Sequence, residues 1–290
     1  MKNKIIGSYL MLIPALIFFI AFSYYPFIHA IIISFYESNI ATGDHPVFNG
    51  LGNYATVLHE PLFWKSFINN IVFAAGTVPT GVGLGLLFAV MVHNRVRFTT
   101  LYRTMLFYPH ILPMIAAANI WLFLLNPDIG LIRQVMGWFH KQSWDPLGDV
   151  HAAMPSLMII TLWKEAGFFM LLYLAGLQQL PREIYEAARL DGASPWRIFW
   201  RITLPLLGPT TLFVSVIALV NSLQSVDQIY ILTNGGPNNA TISLLYYIYK
   251  AAFQNWDIGM ASTLTVILAV ILSCIMMLNY FVFDKKVHYN

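Results

Sequence analysis

Residues 154–177 read MPSLMIITLWKEAGFFMLLYLAGL, an apolar run interrupted by charge only at Lys164 and Glu165. A hydrocarbon layer about 30 Å thick is crossed by roughly 20 helical residues, so this stretch is long enough to span it. On either side of it, five more segments meet the same length: 9–30, 67–92, 104–125, 204–223 and 261–283. Lipid offers the backbone no hydrogen-bond partner, and the runs lack the alternation of a membrane barrel, so each is expected to be helical. Composition agrees: 58% of the 290 residues are hydrophobic and 10% charged, against about 45–50% and about 25% in soluble domains. A water-soluble enzyme, a nucleic-acid binder and a disordered chain are thereby excluded. The expected fold class is an all-α integral membrane protein with six transmembrane helices.

The connections carry an uneven share of positive charge. Eleven of the sixteen Lys and Arg fall in the N-terminal segment, the second and fourth connections and the C-terminal segment, and four fall in the remaining connections. Basic loops stay on the cytoplasmic side, so both termini are expected to be cytoplasmic, in keeping with an even number of spans. Lys2 and Lys4 precede the first run as in a signal peptide. That run outlasts the usual ~7–15-residue signal core and lacks a small-x-small cleavage site, so it reads as a retained span. Pro14, Pro79, Pro113 and Pro209 mark expected kinks. Gly81 and Gly85 form a small-xxx-small pair suited to close helix approach. Residues 241–253 are apolar and aromatic but too short to cross, and they follow the turn cluster Asn234-Gly235-Gly236-Pro237-Asn238-Asn239. A short interfacial or re-entrant helix on the outer side is expected there.

Chemistry-bearing patterns are sparse. The single cysteine, Cys274, permits no intrachain disulfide, and the eight histidines show no metal-ligand spacing. Neither a metal site nor a catalytic constellation is expected, and His110 beside Pro109 and Pro113 reads as a helix-end residue. No Gly-x-x-x-x-Gly-Lys-Ser/Thr run exists, so this chain is not expected to bind ATP through a phosphate-binding loop.

The connection LPREIYEAARLDGASPWRIFWRITLPLLGP, residues 180–209, holds the densest charge in the chain, four basic and three acidic side chains. Pro181 suits a first helical turn, and 182–190 is rich in helix formers. Gly192 is placed to end that helix in the left-handed conformation. Ser194-Pro195 then reads as an N-cap followed by proline at the first helical position. The result is a helix–turn–helix that mixes charge with Ile184, Tyr185, Trp196, Phe199 and Trp200. Two readings fit: a docking surface for a soluble partner, or an amphipathic helix resting on lipid headgroups.

Glu186-Ala187-Ala188, then Asp191-Gly192-Ala193, with Phe199, Ile202, Leu204, Pro205 and Pro209, resembles the EAA loop of permease subunits from binding-protein-dependent ABC importers. Thr233-Asn234-Gly235-Gly236-Pro237 is similar to a stretch of their carbohydrate-uptake branch, and so is Trp163 with Leu174-Ala175-Gly176-Leu177-Gln178 and Pro181. The resemblance covers essentially the whole chain. It looks closest to the shorter of the paired subunits in sugar or glycerol-3-phosphate systems, and it implies a single type I importer transmembrane domain over 1–290, with a core of about 67–283. It further implies a bacterial inner-membrane complex of this subunit, a second homologous permease, an ATPase dimer that binds the ATP and magnesium, and an extracytoplasmic solute-binding protein. No cofactor is expected in this chain. In such permeases the loop inserts a coupling helix into an ATPase cleft. Glu186, Ala187, Ala188, Asp191, Gly192 and Ala193 are the expected ATPase-coupling residues.

Charges inside a span are costly and point to function. Lys164 and Glu165 are adjacent, hence about 100° apart around a helix and poorly placed to pair. Glu165 and Phe168 share a face at i,i+3, a polar group beside an aromatic platform that suits a sugar. Asn221, Ser222, Gln224 and Ser225 gather at the end of the fifth span, where related permeases place substrate contacts. These seven are the expected substrate-binding residues. Lys164 could instead serve an interhelical pair or snorkel, and the span-end cluster could merely cap its helix. A buried ammonium would suit a glycerol phosphate, so that solute class stays open beside a neutral sugar. A secondary transporter is the main rival, weakened by the lack of further titratable groups within the spans.

Overall fold

The computed structural model describes residues 12–38, 45–93, 98–139 and 144–284, with side chains up to 277. Lys2, Lys4, Arg95, Arg97, Lys141, Lys285 and Lys286, which contribute to the charge asymmetry, lie outside the described residues. Five of the expected spans are helices long and apolar enough to cross a membrane: Leu12–Ile33 (α1), Pro61–His93, Ala153–Gln179, Gly208–Leu232 and Ile258–Met277. In order after α1 come a two-residue antiparallel ribbon, Tyr36–Glu37 (β1) with Val47–Phe48 (β2), and Gly52–His59 (α2). Then follow Pro61–His93 (α3), Thr99–Ile111 (α4), Met114–Leu124 (α5), Leu131–Trp138 (α6), Ala153–Gln179 (α7), Arg182–Leu190 (α8) and Pro195–Ile198 (α9). Gly208–Leu223 (α10), Asp227–Leu232 (α11), Leu244–Tyr249 (α12) and Ile258–Asp284 (α13) complete the order.

The third expected span, 104–125, is not one helix. α4 and α5 meet at a bend of 94°. The cause is local. Pro113 has no N–H to continue the ladder, and it drives Leu112 out of the helical region to φ −65°, ψ 132°. The other prolines act differently. Pro79 lies inside α3, and Pro209 sits in the first turn of α10, where a missing N–H costs nothing. The fifth span accordingly begins at Gly208 rather than 204, and Leu204–Leu206 belongs to the preceding connection.

The described residues group into two compact units. The first joins the chain up to Trp64 with Tyr247–Ile271. Its polar seam is centred on Ser34, whose Oγ donates to the Ile31 carbonyl at 2.6 Å and meets Tyr54 Oη at 2.7 Å. Asn53 Nδ2 donates to the carbonyls of Ser34 (3.0 Å) and Tyr36 (2.8 Å), and Thr263 Oγ1 donates to Ser34 O at 3.2 Å. Tyr247 donates to the Glu60 carboxylate, and burial, followed by that carboxylate, holds its phenol above the ordinary range. No side chain in the apolar window of α1 is buried.

The second unit, Lys65–Tyr246 with Leu272 onward, packs around α7. Phe169, Met170, Tyr173, Leu174 and Leu177 on α7 share a core with Ala89 and Val92 of α3 and Val214 and Ala218 of α10. Glycines let backbones approach. A Cβ on Gly85 would lie 2.5 Å from Phe169 Cβ, and one on Gly167 would lie 1.9 Å from the Leu106 carbonyl. The expected role of Gly85 in close packing is therefore met, on α7. The segment that follows the Thr233–Pro237 turn is held from α3: Asn69 Nδ2 donates to the carbonyls of Asn239 (3.0 Å) and Ile242 (2.9 Å), and Leu244 N donates to Asn70 Oδ1 at 2.9 Å. Ser243 caps α12 by accepting from Tyr246 N at 3.1 Å. The short helix expected over 241–253 is thus present, and most of 240–247 is buried.

Candidate functional site

Two groups of residues stand out in the second unit. The first is the connection 180–209. α8 ends as its glycine demands: Gly192 has φ +71°, Ala193 N donates to Ala188 O at 3.0 Å, and Gly192 N to Arg189 O at 3.1 Å. These two reverse bonds satisfy the orphan carbonyls of the last turn. Ser194 Oγ then accepts from Arg197 N at 3.3 Å, with Pro195 in the first turn of α9. Tyr185 Oη donates to Thr203 Oγ1 at 3.1 Å and ties α8 to the segment after α9. Glu186, Ala187, Asp191 and Gly192 are exposed, and Ala193 is half-buried. Ala188 stands apart from these. It is buried, so its small side chain serves packing within the chain rather than an outward face. The outward face instead carries large apolar groups, Leu190 at 90% exposure and Trp196 at 72%.

The second group lies where α4, α7 and α10 converge. Glu165 on α7 accepts from Asn221 Nδ2 of α10 at 3.2 Å and stands 3.6 Å from His110 Nδ1 at the end of α4. The His110 ring stacks on Phe168 at 4.5 Å with 6° between planes. A narrow cleft opens beside this cluster, bordered by Thr77, Thr161, Glu165, Phe169, Asn221 and Ser222. Thr161 Oγ1 donates to Gln228 Oε1 at 2.9 Å, and Gln228 in turn donates to Ser225. Ser222 lines the cleft, but its hydroxyl donates to the Leu219 carbonyl of its own helix at 2.8 Å.

Lys164 is turned away from the cleft. It is buried, and its Nζ donates to the His110 carbonyl at 3.1 Å. That carbonyl lies in the last turn of α4, where the break deprives it of a helical partner. The ammonium is therefore a helix-end cap, and of the readings open at the outset the interhelical one is nearest.

Residues 81–289 match the family described as the binding-protein-dependent transport system inner membrane component. The chain belongs to this family. Among its relatives, the sn-glycerol-3-phosphate transport system permease protein UgpA of Brucella suis is 34% identical over 289 residues, covering 99% of this chain and 98% of that protein. The lactose transport system permease protein LacF of Rhizobium radiobacter is 29% identical, covering 95% and 93%. In fold, the chain is similar to a bacterial ABC transporter involved in the import of the acidic polysaccharide alginate, with a TM-score of 0.87 at 24% identity over 98% of this chain and 96% of that one.

In this permease the structure brings Glu165, Phe168 and Asn221 together, with Ser222 and Ser225 near the same cleft. Gln224 is exposed and caps the end of α10, outside that arrangement. Reading 221–225 as one cluster overlooked the break between α10 and α11, which resets the helical phase after Leu223. Thr161 was missed because it is an ordinary residue until the fold sets it against Gln228. His110 is a helix-end residue as expected. Its contact with Glu165 crosses between α4 and α7, where no local periodicity reports it.

Proposed function

We propose that this permease forms half of the translocation path of an ABC importer for a neutral sugar, powered by separate ATPase subunits that grip residues 180–209. The charge asymmetry of the connections supports placing that loop and both termini in the cytoplasm. An extracytoplasmic binding protein delivers the solute, a second homologous permease supplies the other half of the path, and ATP and magnesium are held by the ATPases. The loop supports coupling because a rigid, doubly capped turn with Leu190 and Trp196 outside can transmit force without unwinding.

One observation carries the solute class. The ammonium of Lys164 is engaged by the His110 carbonyl, which leaves the cleft a carboxylate, an amide and hydroxyls. A phosphate calls for a charge-assisted cation contact, whereas sugar hydroxyls suit Glu165 and Asn221. The UgpA relatives favour a second reading, glycerol 3-phosphate as the solute. Competition separates the two. In proteoliposomes holding the complete transporter, neutral oligosaccharides are expected to block ATP-driven uptake and glycerol phosphate to leave it unchanged. The opposite ranking contradicts the sugar reading.

A further inference from the structure

We infer that Lys164 is a positioning residue that clamps the break between α4 and α5 and thereby aims His110 at Glu165, on the border of the solute cleft. α4 stops at Ile111 and α5 starts at Met114 on an axis turned by 94°. In an unbroken helix the His110 carbonyl would accept from the residue 114 N–H. The bend removes that donor, and a bare carbonyl in a buried, low-dielectric setting is costly. Lys164 Nζ supplies the replacement at 3.1 Å from a helix packed alongside. A cation there also faces the negative end of the α4 dipole. Among the described residues Lys164 forms no ion pair, so this capping bond accounts for burying its charge.

The clamped residue also reaches the border of the cleft, through Glu165. His110 presents its carbonyl to Lys164, its ring to Phe168 and its Nδ1 toward Glu165, which borders the cleft. Lys164 and Glu165 are consecutive, so α7 holds the main chain of His110 with one side chain and meets its ring with the next. Lys164 therefore influences transport through His110, without touching solute. The transport part of this inference rests on the solute reading above; the clamp itself does not.

Two measurements test it in the complete transporter, with Cys274 replaced by Ser. First, spin labels at Met105 and Phe123, both exposed, report the bend. These positions would stand about 27 Å apart on a straight helix and about 19 Å apart across the right-angled break, from the 1.5 Å rise per residue. Lys164→Met is expected to broaden the distance distribution toward longer values. Lys164→Arg, which can still donate to the carbonyl, should keep it narrow. A distribution for Lys164→Met that superimposes on the parent overturns the clamp, whatever solute the cleft takes.

Second, transport constants are compared for Lys164→Met, His110→Ala and the double variant. Lys164→Met is expected to raise the transport KM about tenfold at unchanged membrane content, Lys164→Arg to restore it, and the double variant to be no worse than His110→Ala. Effects that multiply mean that Lys164 acts independently of His110, which overturns the positioning role. Glu165→Gln serves as the control for the solute reading. If it too leaves KM unchanged, that reading has failed, and the spin-label distance alone decides the clamp.

Discussion

Gly192 occupies φ +71° with nothing within 4 Å of where a Cβ would stand, so the demand at this position is conformational rather than steric. A non-glycine residue pays about 1–2 kcal/mol in that region, with Asn among the best tolerated. Gly192→Asp is expected to leave the permease inserted and the partner ATPase hydrolysing, with uptake lost; parallel hydrolysis and uptake assays on the reconstituted complex check it. Retained uptake would mean the turn is not the transmission point. In the cleft, Asn221→Ala removes the donor of a 3.2 Å hydrogen bond, and Glu165→Gln removes the charge of its acceptor. Both should raise the transport KM several-fold, by the roughly 1 kcal/mol or more of a hydrogen bond to a charged group. The loop was legible in the sequence because its signals are local: Gly192 ends one helix and Ser194-Pro195 starts the next. The cleft was half legible. Glu165 and Phe168 announce themselves on a span, whereas His110 becomes informative only when α4 is laid on α7.

The helices pack through positions where side chains are missing. Gly85 and Gly83 lie on the same helix, yet a Cβ on Gly85 would strike Phe169 at 2.5 Å while one on Gly83 meets nothing within 4 Å. Gly85→Leu should therefore overpack the α3–α7 contact and cost about 1–3 kcal/mol or more. Gly83→Ala should be neutral or stabilising through helix propensity. Thermal unfolding of the detergent-solubilised complex separates the two. Asn69 offers a third comparison. Asn69→Ala strips donors from two carbonyls of the 239–242 segment and should destabilise by about 1–3 kcal/mol. Elements were readable where periodicity and length decide, as in α3, α7 and α13. Pro113 announced a disturbance in the third span, but not a right angle. Pro113 opens the break locally, but the ammonium that caps the carbonyl it frees comes from Lys164, 54 residues away, and no local signal contains that contact.

The second unit combines an apolar body built around α7 with an exposed, charged connection whose turn is capped on both sides. The chain's family supplies the setting, a transport system dependent on a binding protein. A permease of this family works with ATPase partners, which calls for a surface that a partner can reach. Leu190, 90% exposed beside Gly192, is the most direct probe of that surface. A cysteine at Leu190, in a Cys274→Ser background with the complete transporter in native membranes, should cross-link to a nucleotide-binding subunit with a yield that changes on adding ATP. A cysteine at Leu190 that captures no nucleotide-binding protein, or one whose capture ignores ATP, would contradict the account.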